Sequence, residues 1–181
     1  MDILPKWLTA EREQWRGCAE TFRKYTSAVF KAAFLGMFLC HALFLFYGYT
    51  SPDGTNEGLF YYWNQNWALS IGRWMMRYLS AAGCNVVMPA IFLAFNAACT
   101  ATAMLLLADL WHIESKPLLI LSTVSLIVAP SVIEQHLVIY MAYVYGFSLL
   151  MTVLASYLVL TKKGWPSFVV AVLALACGMG G

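Results

Sequence analysis

Six side chains have types and spacings suited to chemistry: Asp53, Glu57, Arg73, Arg77, Glu134 and His136. A carboxylate such as Glu57 can take a proton from a hydroxyl as that hydroxyl attacks an electrophilic carbon. Asp53 can do the same, although it also fits as the turn residue of Ser51-Pro52-Asp53-Gly54, where proline presets one backbone angle and glycine accepts a positive one. Glu57 has no such turn to form. Arginine is a planar, permanently charged fork suited to a phosphate. Arg73 and Arg77 are four residues apart and so share one side of a helix. Their plainer alternative is contact with lipid headgroups. Glu134 follows a helix end, where it could pair with an arginine or act as a second carboxylate, and Gln135 and His136 stand next to it.

The elements that must hold these residues are apolar. The chain is 61% hydrophobic and only 11% charged, against about half and a quarter in a typical soluble domain. This composition predicts an all-α, polytopic integral membrane bundle. The expected spans are 32–49, 84–108, 118–133 and 137–161, each long enough or nearly so for a hydrocarbon core of about 30 Å. A fifth run, 166–181, is short and reads as a truncated span. Residues 1–31 read as a basic, cytoplasmic amphipathic segment with Trp15, Cys18, Phe22, Tyr25 and Val29 on one face, suited to the headgroup layer. Residues 32–181 form the membrane domain. Its polar interruption, 50–83, divides into a loop and an interfacial helix over 67–82, with Trp67, Ile71, Trp74, Met75, Tyr78 and Ala82 on the apolar side. Ala32, Gly36 and Cys40, and Ala90, Ala94, Ala97 and Ala101, form small-residue rows for helix packing. His41 and Asn96 lie deep in spans, where a hydrogen bond to a neighbouring helix is the expected state.

Basic residues set the orientation. With the N-terminus in the cytoplasm, Lys6, Arg12, Arg16, Arg23, Lys24, Lys31, Lys116, Lys162 and Lys163 fall inside, and only Arg73 and Arg77 fall outside. All six candidate site residues then share the non-cytoplasmic side. No cleavable leader precedes the first apolar run, so insertion is expected to rely on the first span. The net charge of +2 is too small to imply nucleic acid as a partner. The five cysteines form no Cys-x-x-Cys pair and have no histidine at ligand spacing. They read as small apolar residues, with neither a metal nor another cofactor expected.

Asn56-Glu57-Gly58-Leu59, followed by Ile71-Gly72-Arg73-Trp74, resembles the Asp-Gly-Leu and Gly-Arg-Trp motifs of the bacterial glucosyl transferase family of the Gtr type. Here glutamate stands where that motif has aspartate, which keeps the carboxylate but extends its reach by one methylene. The resemblance implies a GT-C-like helical fold in the bacterial inner membrane, with the first outer loop supplying the acidic catalytic residue. It implies transfer of glucose from a polyprenyl-phosphate-linked donor to a surface polysaccharide or O-antigen, the glycan acceptor, outside the cytoplasm. Glu57, with Asp53 as the alternative, would be the base or acceptor-orienting carboxylate, and Arg73 with Arg77 would hold the donor phosphate. The chain would be the N-terminal part of such an enzyme and inactive by itself. Two other classes fit a membrane bundle: a transporter or flippase of lipid-linked sugars, and a structural subunit. The first would need polar groups along a membrane path, and the second would need no acidic outer loop.

Overall fold

In the computed structural model the described residues are 6–41, 69–70, 72–82, 89–129, 142–162 and 164–180. Among them there are no strands, and six helices carry the fold: α1 (Lys6–Cys40), α2 (Trp74–Ala82), α3 (Pro89–Leu110), α4 (Lys116–Val128), α5 (Ala142–Thr161) and α6 (Trp165–Met179). The all-α expectation holds for these residues.

α1 has 35 residues, which at 1.5 Å per residue makes it about 52 Å long. Its buried side chains are Cys18, Tyr25, Val29, Ala33, Met37 and, just past its end, His41. Spaced by seven and then by four residues, these positions form one continuous stripe. The apolar face at Cys18, Tyr25 and Val29 therefore continues straight into the face of the apolar run that follows, and the helix crosses residue 31 without a break. From Tyr25 to Met37 this stripe joins Leu93, Ala97, Ala101 and Leu105 of α3 and Leu119 and Ile127 of α4 in one core. The row Ala32, Gly36, Cys40 lies beside the stripe rather than at its centre. Gly36 faces Ile127, with room for a methyl group at an ordinary 3.6 Å, while Cys40 is exposed.

The helices are arranged in the order α4, α1, α3, α5, α6, each packed on the next. α3, apolar all round, holds the centre, as its composition requires. Two glycines set the spacing on the two sides of α5. A Cβ at Gly146 of α5 would collide with the side-chain oxygen of Asn96 and stand 3.0 Å from the Asn96 Cα. Only a bare Cα lets α5 approach α3 this closely. On the other side of α5, Ala171 and Ala174 of α6 are buried, and a Cβ at Gly178 would come within 3.2 Å of the Ser148 carbonyl. The opposite faces of the outer helices are apolar and exposed, at Leu118 and Leu121 in α4 and at Phe168, Val172 and Leu173 in α6. Two of the described helices are long and apolar enough to cross a membrane, at Ala90–Leu110 and Val144–Thr161; Lys116–Val128 and Trp165–Met179 are apolar but shorter.

The described connection between α3 and α4 is short and locally determined. α3 ends in a paired-carbonyl cap: Ile113 N–H donates to the Ala108 carbonyl at 2.8 Å and His112 N–H to the Asp109 carbonyl at 3.2 Å. This is the Schellman arrangement. It puts His112 at φ 50°, a left-handed position that glycine more often fills. The cap turns Ile113 back onto the core. α4 and α6 each carry proline in the first turn, where the missing N–H costs nothing and φ is already helical.

Candidate functional site

The row of helices has two polar ends, and the sequence candidates divide between one of them and the residues outside the description. Asp53, Glu57, Glu134 and His136, together with the aromatic cluster Tyr61, Tyr62, Trp63 and Trp67, lie outside the described residues. Arg73 and Arg77 lie within them. The helix carrying Arg77 begins at Trp74, later than the periodicity of 67–82 suggests. Gly72 interrupts it with φ at +84°, a conformation suited to glycine, and its N–H closes a turn onto the Leu69 carbonyl at 3.1 Å. Arg73 thus sits at the mouth of α2 and is half-buried, while Arg77 lies one turn further on and is exposed. Trp74 meets Tyr78 edge to face, with ring centroids 6.1 Å apart. The N-terminal turn of α2 docks on the end of α6: Met75 N–H donates to the Gly180 carbonyl at 2.8 Å.

The opposite end holds a polar cluster that has no part in the sequence-level candidates. Both oxygens of the Asp109 carboxylate, in the last turn of α3, accept hydrogen bonds. Thr21 of α1 donates from Oγ1 at 2.9 Å, and Tyr157 of α5 donates from its hydroxyl at 2.6 Å. Tyr25 of α1 donates to the Glu114 carbonyl at 2.6 Å. Lys24 lies over the Tyr25 ring, 4.9 Å from its centroid. Cys18 packs with Tyr157 and Leu106. Burial holds its thiol above the ordinary pKa; a hydrogen bond with Tyr157 opposes this, and the charges of Asp109 and Lys162 act in opposite senses. An open cleft of about 680 Å³ lies beside the cluster, with Glu20, Lys24, Tyr25, Asp109, His112 and Glu114 on its wall. Because both Asp109 oxygens are engaged across three helices, this carboxylate acts as a clasp. Among the described residues no group of three or more His, Cys, Asp or Glu side chains could hold a metal ion.

The two ends are far apart along the helices. In α5, Tyr157, which bonds Asp109, and Ser148, beside which Gly178 of α6 packs, are nine residues apart, an axial rise of about 14 Å. α2 with its two arginines therefore belongs to the end away from the Asp109 clasp, at the far end of α6.

The family model described as Glucosyl transferase GtrII matches residues 42–181. The chain belongs to this family. The GtrII match takes in 50–83, α2 and every helix from α3 to α6, and it begins just beyond α1. It agrees with the Gtr-type resemblance carried by Asn56-Glu57-Gly58-Leu59 and Ile71-Gly72-Arg73-Trp74. No curated protein and no solved structure matches the chain. Within the GtrII frame the Asp109 clasp has a definite role: through Thr21 and Cys18 it ties α1, which the family match leaves out, to the helices that the match includes.

Proposed function

We propose that this chain serves within a membrane glucosyltransferase that moves glucose from a polyprenyl-phosphate-linked donor to a cell-surface polysaccharide or O-antigen on the non-cytoplasmic side. The observation that carries this reading is the GtrII match over 42–181, which contains both the acidic loop and the arginine-bearing segment. In this reading α1, α3, α4 and α5 are the spans of a GT-C-like bundle, α6 is a fifth, and α2 lies at the outer interface. The bacterial inner membrane holds the bundle, with the N-terminus in the cytoplasm. What supports this orientation is the division of charge between the two ends: Arg16, Arg23, Lys24, Lys116 and Lys162 accompany the Asp109 clasp, whereas Arg73 and Arg77 accompany α2. What supports lipid around the outer helices is their exposed apolar faces.

Arg73 and Arg77 bind the donor phosphate, at the depth where a lipid tail ends and a sugar begins. Glu57 takes the proton from the acceptor hydroxyl as its oxygen attacks the anomeric carbon, and the polyprenyl phosphate leaves. Asp53 is the alternative carboxylate. Glu134 and His136 contact the substrate from the same side. Charge-assisted hydrogen bonds from arginine to phosphate are worth about 1.5–3 kcal/mol. Arg73→Gln is therefore expected to raise the KM for the donor by about ten- to a hundredfold, and Arg73→Lys to restore only part of the loss. Steady-state transfer of labelled glucose in membranes containing the protein measures this. An unchanged donor KM in Arg73→Gln would remove Arg73 from the phosphate site.

A further inference from the structure

Gly180 follows α6 with φ −86° and ψ 0°, an ordinary right-handed conformation open to any residue. Its lack of a side chain is thus not a backbone requirement. The requirement comes from what lies above it. A Cβ at Gly180 would stand 2.6 Å from Nε1, 2.8 Å from Cε2 and 3.0 Å from Cδ1 of Trp74. These atoms belong to the rigid indole, which itself meets Tyr78 one turn along the same short helix. An added methyl group therefore has to push the start of α2 away. The Gly180 carbonyl also accepts the N–H of Met75 at 2.8 Å. Met75 lies in the first turn of α2, where helix N–H groups have no partner in their own helix. The negative C-terminal end of α6 thereby faces the positive N-terminal end of α2.

We propose that Gly180 is a positioning residue: its bare Cα and its carbonyl seat the first turn of α2, and this fixes where Arg73 stands relative to the donor phosphate. The proposal rests on the phosphate role given to Arg73 above. Gly180 touches no substrate in this scheme, so its effect passes entirely through Trp74 and Met75. The added methyl of Gly180→Ala is compatible with the local backbone, so it tests the contact and not the fold of α6.

The experiment pairs two readouts on Gly180→Ala in the intact protein in lipid nanodiscs. Amide hydrogen exchange over a peptide containing residues 73–78 reports the seat itself. Steady-state transfer from a synthetic short-chain polyprenyl-phosphate glucose reports its consequence. Exchange of the Met75 amide is expected to rise about two- to tenfold, with the donor KM raised about three- to tenfold and kcat within about twofold, since one lost backbone hydrogen bond is worth a factor in about that range. Trp74→Leu combined with Gly180→Ala makes room for the methyl and is expected to bring the exchange back toward that of Trp74→Leu alone. Unchanged exchange in Gly180→Ala would overturn the proposal. So would faster exchange with an unchanged donor KM, where Arg73→Gln raises that KM. If Arg73→Gln itself leaves the KM unchanged, the phosphate assignment is what has failed, and the exchange result alone then decides whether Gly180 seats α2.

Discussion

Glu57→Gln is expected to lower glucose transfer by about 10²–10⁴-fold with little change in the donor KM. A positioned general base contributes a factor of this size, and the amide keeps the shape of the carboxylate while losing the ability to accept a proton. In the proposed scheme the donor binds through its phosphate, so the loss is expected to fall on kcat. Glu57→Asp moves the carboxylate back by one methylene, to the residue type of the Asp-Gly-Leu motif, and is expected to retain measurable transfer. Asp53→Asn is expected to leave transfer within a few-fold, because a Pro-Asn-Gly turn forms as readily as Pro-Asp-Gly. The comparison is made on labelled product at matched protein levels in the membrane. If Asp53→Asn abolished transfer and Glu57→Gln did not, the role of base would move to Asp53.

Asp109→Ala is expected to destabilise the protein by about 1.5–3 kcal/mol, the worth of hydrogen bonds to a charged acceptor. The carboxylate accepts from Thr21 of α1 and from Tyr157 of α5. Removing it leaves two partly buried hydroxyls without that acceptor and unties three helices at once. Thr21→Val and Tyr157→Phe each remove a single bond and are expected to cost about 1 kcal/mol or less. Asp109→Asn retains one carbonyl oxygen and should fall between. Comparative melting in one detergent ranks the four variants. A melting temperature for Asp109→Ala equal to that of the parent would show that the clasp contributes nothing to holding α1 against α3 and α5.

The parts of the fold legible in the sequence are those governed by short-range spacing. Apolar positions three and four apart mark the first part of α1, and the prolines at 117 and 166 mark helix starts, because both signals act within a turn or two, while α3, apolar all round, is marked by the length of its apolar run. Charge places the boundary between the cytoplasmic segment and the first span at residue 31. Charge marks where a chain leaves lipid, not where a helix ends, and the stripe from Cys18 to His41 runs through it. The start of α2 was drawn from apolar periodicity across 67–82. Gly72 interrupts that periodicity with a single positive φ: Leu69 and Ser70 before it are helical, and the helix carrying Arg77 starts afresh at Trp74.

The contacts that depend on chain folding were not legible. Asp109 reads in sequence as a turn charge between two apolar runs, since its partners lie 88 and 48 residues away. Gly146 and Gly180 look like ordinary helix and helix-end glycines until Asn96 and Trp74 are seen against them. Asn96, for which the sequence predicts a hydrogen bond to a neighbouring helix, lies buried against Gly146 of α5. His41, expected to sit within a span, is fully buried at the end of the α1 stripe. For the candidate site, sequence motifs single out Glu57 and Arg73, and the structure adds what holds Arg73: the Gly72 turn before it and the Gly180 seat beneath the residues that follow.

The most direct measurement is reconstitution of the full-length enzyme that contains this chain in proteoliposomes with labelled polyprenyl-phosphate glucose and a polysaccharide acceptor supplied on one side at a time. Glucose should appear covalently on the polysaccharide, and only when the acceptor is on the side that bears α2 and the 50–83 segment. Movement of the labelled donor across the bilayer without any transfer to polysaccharide would contradict a glycosyltransferase and identify a transporter of lipid-linked sugar instead.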